Sequence, residues 1–135
     1  MRQWGRILLL CIFVCWSSAV VQAQQIQLDI LTVNDFHGAL APEERRPGAA
    51  VLMAAIEQER ANNPQGTLLL AAGDMLQGSV DSNLLYGRPV VEMMNAMQVD
   101  AMALGNHEFD WGLRVLQERA KEAQFPFLCG NVVDK

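Results

Sequence analysis

The sequence predicts an α/β fold built on a mostly parallel sheet. Three observations predict it. Short aliphatic and β-branched runs recur at 28–33, 67–72 and 100–104. Segments with helical character separate and follow them. Each of these runs closes on polar residues of metal-binding type beside a glycine. Strand and helix in strict alternation is the mark of βαβ units.

The elements follow in order. Leu28 to Val33 is a short aliphatic run that ends at Asn34-Asp35, and reads as the first strand. Gly48 to Ala61 is rich in helix formers. Its first half is apolar (Val51, Leu52, Met53, Ile56) and its second half charged (Glu57, Glu59, Arg60). Asn62-Asn63-Pro64-Gln65-Gly66 ends that helix, because Pro cannot continue it and Gly turns the chain. Thr67 to Ala72 is nearly all apolar, as a strand covered on both faces should be. Gly73 to Tyr86 reads as a loop with a short helix in it. Pro89 opens a helix that runs to Met97. Asp100 to Leu104 is a third, weaker strand. Leu113, Leu116, Ala120 and Ala123 then recur at helical spacing, with Arg114, Glu118, Arg119, Lys121 and Glu122 turned outward. Pro126 to Cys129 begins a fourth strand, in which Cys129 reads as a buried residue.

Length and charge bound the function. The chain has 135 residues, enough for one small domain. It carries 10 Lys+Arg against 15 Asp+Glu and no basic cluster, which argues against a nucleic-acid footprint. No G-x-G-x-x-G follows the first strand, which argues against a dinucleotide-binding module. Residues 1–23 read as a secretory signal. Arg2 and Arg6 are basic, Ile7 to Trp16 is apolar, and Val21-Gln22-Ala23 offers a cleavage site. The apolar run is shorter than the ~20 residues that span a bilayer. An uncleaved membrane anchor is the alternative. Cys11 and Cys15 lie within residues 1–23, so Cys129 alone remains after cleavage and no internal disulfide can form.

Ligands of open α/β sheets bind at the carboxyl ends of strands. Here those ends carry Asp35-Phe36-His37-Gly38, Gly73-Asp74 and Gly105-Asn106-His107-Glu108. Asp35 and His37 are two apart, so extended backbone would point both the same way. A carboxylate and an imidazole together suit a borderline divalent ion such as Zn²⁺, Mn²⁺ or Fe²⁺. Asp74 has two oxygens with which to bridge a pair of ions, and Asn106 offers an amide oxygen to the second. His107 follows Asn106 directly, so its side chain should point away from the ligands. It is placed to protonate a leaving oxygen or to stabilise charge on a phosphoryl group. Asp110 is placed to fix the His107 tautomer.

Each motif also has an ordinary explanation. Gly-Asp is a common turn pair. Asp110 can cap the helix that begins near Gly112, and Glu108 can favour the same helix end electrostatically. What chance does not readily supply is all three motifs, in this order, each on a strand tip.

The stretches LTVNDFHGAL (31–40), LLLAAGDMLQGS (68–79) and MALGNHEFDWG (102–112) resemble the secreted bacterial 5′-nucleotidases and 2′,3′-cyclic phosphodiesterases of the calcineurin-like phosphoesterase superfamily. The resemblance covers about residues 26–135, the N-terminal part of such a domain. It implies a four-layer α/β/β/α sandwich and two divalent ions (Zn, Mn, Fe or Co). It implies that Asp35, His37 and Asp74 hold one ion, and Asp74 and Asn106 the other. It implies that His107 and Asp110 form the catalytic pair, with a metal-bridging hydroxide as nucleophile. The substrate would be a small phosphate ester, most often a nucleotide, met outside the cytoplasm. Any membrane contact would run through an uncleaved signal segment.

The family pattern continues with a further His and a Gly-His-x-His segment, whereas His37 and His107 are the only histidines in these 135 residues. The expectation is that the segment alone does not turn over substrate. A non-catalytic product, a cyclic phosphodiesterase and a thiohydrolase of the same fold are the other readings. Arg46-Pro47-Gly48 stands where relatives commonly carry a Gly pair.

The pattern in residues 1–23 predicts that the exported product begins at Gln24. Mass spectrometry of that product should show loss of Met1 to Ala23. An intact N-terminus held in a membrane would overturn the assignment.

Overall fold

A computed structural model describes residues 25–133. The signal segment predicted over residues 1–23 lies outside the described residues. Strand β1 spans Asp29–Val33, β2 Thr67–Ala71, β3 Ala101–Ala103 and β4 Phe127–Leu128. Helix α1 spans Ala49–Asn62, α2 Val80–Asn83, α3 Arg88–Ala96 and α4 Gly112–Glu122. A single 3₁₀ turn covers His107–Phe109.

The four strands lie side by side in chain order, β1-β2-β3-β4, and every pair is parallel. Leu31 sits opposite Leu69 and Val33 opposite Ala71. Met102 lies opposite Ala71 on one side and Phe127 on the other. Crossovers between parallel strands are right-handed in nearly all proteins, which places successive crossover helices on one face of a sheet wound this way.

Burial agrees. On one face Leu69, Ala71 and Met102 are buried, in one core with Ile56 of α1 and Val90, Val91 and Met94 of α3. On the other face Ile30 is 59% exposed and Leu128 53%. Among the described residues, strand β2 is therefore covered on one face, not two. Its apolar run looks like a doubly covered strand because Leu68 and Leu70 belong to the open face.

Polar side chains tie the helices down. Asn95 of α3 donates to Glu122 O at the end of α4 (2.9 Å) and accepts from Gln124 N (2.7 Å). Arg60 of α1 donates to Met97 O and Gln98 O beyond α3. Helix α4 is rotated relative to its apolar spacing. Val115, Leu116 and Arg119 are buried, while Leu113 and Ala120 are exposed. Arg119 turns inward because its guanidinium finds Leu85 O at 3.3 Å and Glu122 Oε1 at 3.1 Å. Cys129 lies just past β4 and is exposed, with Sγ 3.3 Å from Asn131 Oδ1. The strand pairing stops before Cys129 can be carried into the core.

Adjacent leucines on β2 test the one-sided burial. Leu69 is 1% exposed and Leu68 37%. Leu69→Ala should cost about 2–5 kcal/mol, the range for a buried aliphatic truncation, and Leu68→Ala about 1 kcal/mol or less. Denaturant midpoints of the two variants measure the difference. Equal losses would mean that both faces are covered.

Candidate functional site

The three loops that leave β1, β2 and β3 meet at one rim. Loops one and two are joined like an extra rung of sheet. Asp35 N donates to Gly73 O (3.1 Å), His37 N to Asp74 O (3.0 Å) and Gly38 N to Met75 O (3.0 Å). Loops two and three approach so closely that a Cβ on Gly105 would collide with the Asp74 carboxylate, and a Cβ on Gly73 would collide with Gly105. Glycine at both positions is a steric requirement.

Asp35, His37 and Asp74 all adopt left-handed backbone, with φ of 50°, 50° and 53°. The extended geometry expected for Asp35 and His37 is thus not the one found. Phe36 between them packs against the core, and the flanking residues are turned over to the rim. Their side chains still converge, with His37 Nε2 3.9 Å from Asp35 Oδ1. Non-glycine residues in this region are uncommon, and each costs on the order of 1–3 kcal/mol, so they collect where function fixes the backbone.

Ligand atoms of His37, Asp74 and His107 lie within 4.8 Å of one another. The two imidazole rings are 5.1 Å apart, edge to face. His107 therefore points into the cluster rather than away from it. The 3₁₀ turn swings it there, and its backbone N donates to Asp74 Oδ1 at 2.9 Å. Asp110 is not the cap of α4, which begins after Trp111 without a side-chain cap. Its carboxylate instead lies 2.7 Å from His107 Nδ1. That contact is the main reason the His107 pKa is raised above 6.5. Partial desolvation opposes the rise, and the charges of Asp110, Asp74 and Glu108 reinforce it. Asn34 donates to Asp35 Oδ2. Asn106 is exposed at the start of the same turn.

Glu108 differs most from expectation. It is buried, 1% exposed, and does not serve a helix end. Oε2 accepts from Asp74 N (2.9 Å) and Gly105 N (2.8 Å), and Oε1 from Met75 N (2.8 Å) and Leu76 N (3.3 Å). The one sequence signal for this role is an acid set directly after His107 in a glycine-bounded strand-end loop.

The donor set fits divalent metal. It combines carboxylate oxygens with imidazole nitrogen, the mixture that suits borderline ions. His37 Nδ1 is engaged by Gln77 O at 3.0 Å, and a carbonyl can only accept, so Nε2 retains the lone pair. A hollow of about 420 Å³ lined by Met53, Ile56, Arg60 and Met97 includes none of these residues.

Residues 28–133 match the family model for calcineurin-like phosphoesterases. The snake venom 5′-nucleotidase of Crotalus adamanteus is 40% identical over 95% of this chain and 24% of its own length. Protein UshA of Salmonella pullorum is 41% identical over 81% of this chain and 20% of its own. The solved structure of the 5′-nucleotidase precursor from Thermus thermophilus superposes with a TM-score of 0.67 at 32% identity. It covers 75% of this chain and 21% of that one. The chain thus spans a quarter or less of the length of these relatives. The parallel α/β fold is theirs.

The Asp110 contact predicts a specific titration. The folded-state pKa of His107 lies above its ordinary 6.5. Its contribution to stability is therefore complete below about pH 6.5 and is lost as pH rises through the higher folded value. Asp110→Asn should bring the His107 midpoint down towards the ordinary value, followed by NMR of the imidazole protons in the metal-free chain. A midpoint that does not move would show that Asp110 is not the cause.

Proposed function

The chain belongs to the calcineurin-like phosphoesterase family, and from that premise we propose that its rim is the N-terminal share of a two-metal hydrolytic site for phosphate esters. The observation that carries this reading is the convergence of His37, Asp74 and His107 within 4.8 Å, with Asp110 behind His107. On this reading Asp35, His37 and Asp74 would hold one divalent ion, and Asp74 and Asn106 the other. Two ions take more positions than these four residues fill, so other groups complete the shells. When bound, such ions neutralise phosphoryl charge and lower the pKa of water.

The chain's own residues do the rest. Asp110 holds the His107 proton on Nδ1 and orients the ring. With Nδ1 engaged by Asp110, Nε2 is the nitrogen left free, and the raised pKa of the ring suits it to protonate the departing ester oxygen. The hydrogen bond from His107 N to Asp74 Oδ1 fixes the spacing between the acid and the Asp74 carboxylate.

The proposed substrate is a nucleotide of the 5′-nucleotidase class, supported by the relatives named above. The proposed location is outside the cytoplasm, supported by the pattern in residues 1–23 and by a venom relative. The proposed partner is a small molecule, in keeping with the absence of a basic patch from the sequence.

The roles separate by mutation in a complete domain carrying these residues. His107→Ala should lower turnover 10²–10⁴-fold, the usual worth of a general acid, with bound metal nearly unchanged. Asp74→Ala should lose metal and activity together. Turnover on a nucleoside 5′-monophosphate and metal content by elemental analysis decide it. If His107→Ala stripped the metal, its assigned role would be wrong.

A further inference from the structure

Glu108 is the one buried carboxylate at the rim that the reading above leaves without a task. We propose that Glu108 is a positioning residue: it clamps the loop after β2 to the loop after β3 and thereby sets the affinity of the site for divalent ions. The inference rests on the reading that Asp74 is a metal ligand.

The geometry is specific. Oε2 joins the two loops directly, taking Asp74 N from one and Gly105 N from the other. Oε1 takes the next two amides of the first loop, Met75 N and Leu76 N. These amides belong to turns and have no strand partner, and only an acceptor with two oxygens can take all four. The clamp acts on Asp74 from behind. Its backbone N is held by Glu108, and its side-chain Oδ1 by His107 N. A left-handed aspartate is thereby held at both its backbone and its carboxylate. Ligands held from behind in this way bind metal more tightly, because binding then orders less.

A purely structural staple would also be buried and fully bonded, so the test must separate the two. Glu108→Gln keeps shape but turns one acceptor oxygen into a donor, so one pair of amides must face another N–H group. Glu108→Asp keeps the charge and is shorter by one methylene. Mn²⁺ binding to the full chain is measured by electron paramagnetic resonance, alongside thermal unfolding, for wild type, Asp74→Ala and both Glu108 variants. Measurements are made well below each melting temperature.

Glu108→Gln should bind Mn²⁺ about 10–100-fold more weakly, the usual cost of losing such support, with Glu108→Asp in between. Wild-type affinity in folded Glu108→Gln, even with a lowered melting temperature, would reduce Glu108 to a staple and overturn the proposal. If Glu108→Gln does not fold, Glu108→Asp decides alone: weaker binding supports the proposal and unchanged binding ends it. If Asp74→Ala binds as well as wild type, the metal reading itself fails, and that outcome is distinct from failure of the clamp.

Discussion

The parallel register of β1 against β2, from Asp29 opposite Thr67 to Val33 opposite Ala71, is the constraint on which the rest depends. It makes the two strands end at the same height. Their loops then start level and continue the pairing through Asp35, His37 and Gly38. A slip of β1 by one residue would turn Leu31 out of the core and Ile30 into it. It would also separate His37 from Asp74. Burial of one apolar face and assembly of the rim are therefore the same event. Side-chain packing of about 1.5–3 kcal/mol per buried leucine specifies the register, and the register brings the rim residues together.

The rim is held by backbone geometry that its residues would not choose alone. Asp35, His37 and Asp74 share left-handed backbone, at on the order of 1–3 kcal/mol each. Such strain persists only where surrounding contacts over-determine it. Here they do: each of the three donates its own N–H to a fixed partner, Gly73 O, Asp74 O or Glu108 Oε2. The two bonds to carbonyls are worth about 0.5–1.5 kcal/mol each and the one to the Glu108 carboxylate about 1.5–3 kcal/mol, of the same order as the strain. The left-handed backbone of the rim is thus held by hydrogen bonds from neighbouring loops.

How much of this the sequence shows follows from which interactions are local. Strand β1, strand β2, helix α1 and helix α3 lie within a residue or so of their expected limits, because apolar runs, Pro64-Gln65-Gly66 and Pro89 are local signals. The three strand tips are legible for the same reason. Left-handed Asp35 and His37 are not, since their backbone bonds to Gly73 O and Asp74 O, and the core against which Phe36 packs, come from distant segments. Glu108 is not, because a buried acid and a surface acid are written alike. Arg119 and Cys129 fail in opposite senses. A charged residue is drawn inward by carbonyl and carboxylate acceptors, and an apolar thiol is left outside because its strand is only two residues long. The uncovered sheet face is also hidden, since a run of leucines reads the same with one face covered as with two.

The two histidines show how far a neighbour can decide a role. They sit 5.1 Å apart, and each uses Nδ1 to reach one oxygen. The oxygens differ. Gln77 O is a neutral carbonyl. It holds the His37 proton on Nδ1 and leaves Nε2 with a lone pair, which is what a metal needs from imidazole. Asp110 is a carboxylate. It likewise holds the Nδ1 proton of His107, but its charge also favours a second proton on Nε2, and the pKa rises. On the proposed reading the first arrangement suits a metal ligand and the second an acid, the two functions the site requires of its imidazoles. On that reading the division of labour resides in Gln77 O and Asp110 as much as in His37 and His107.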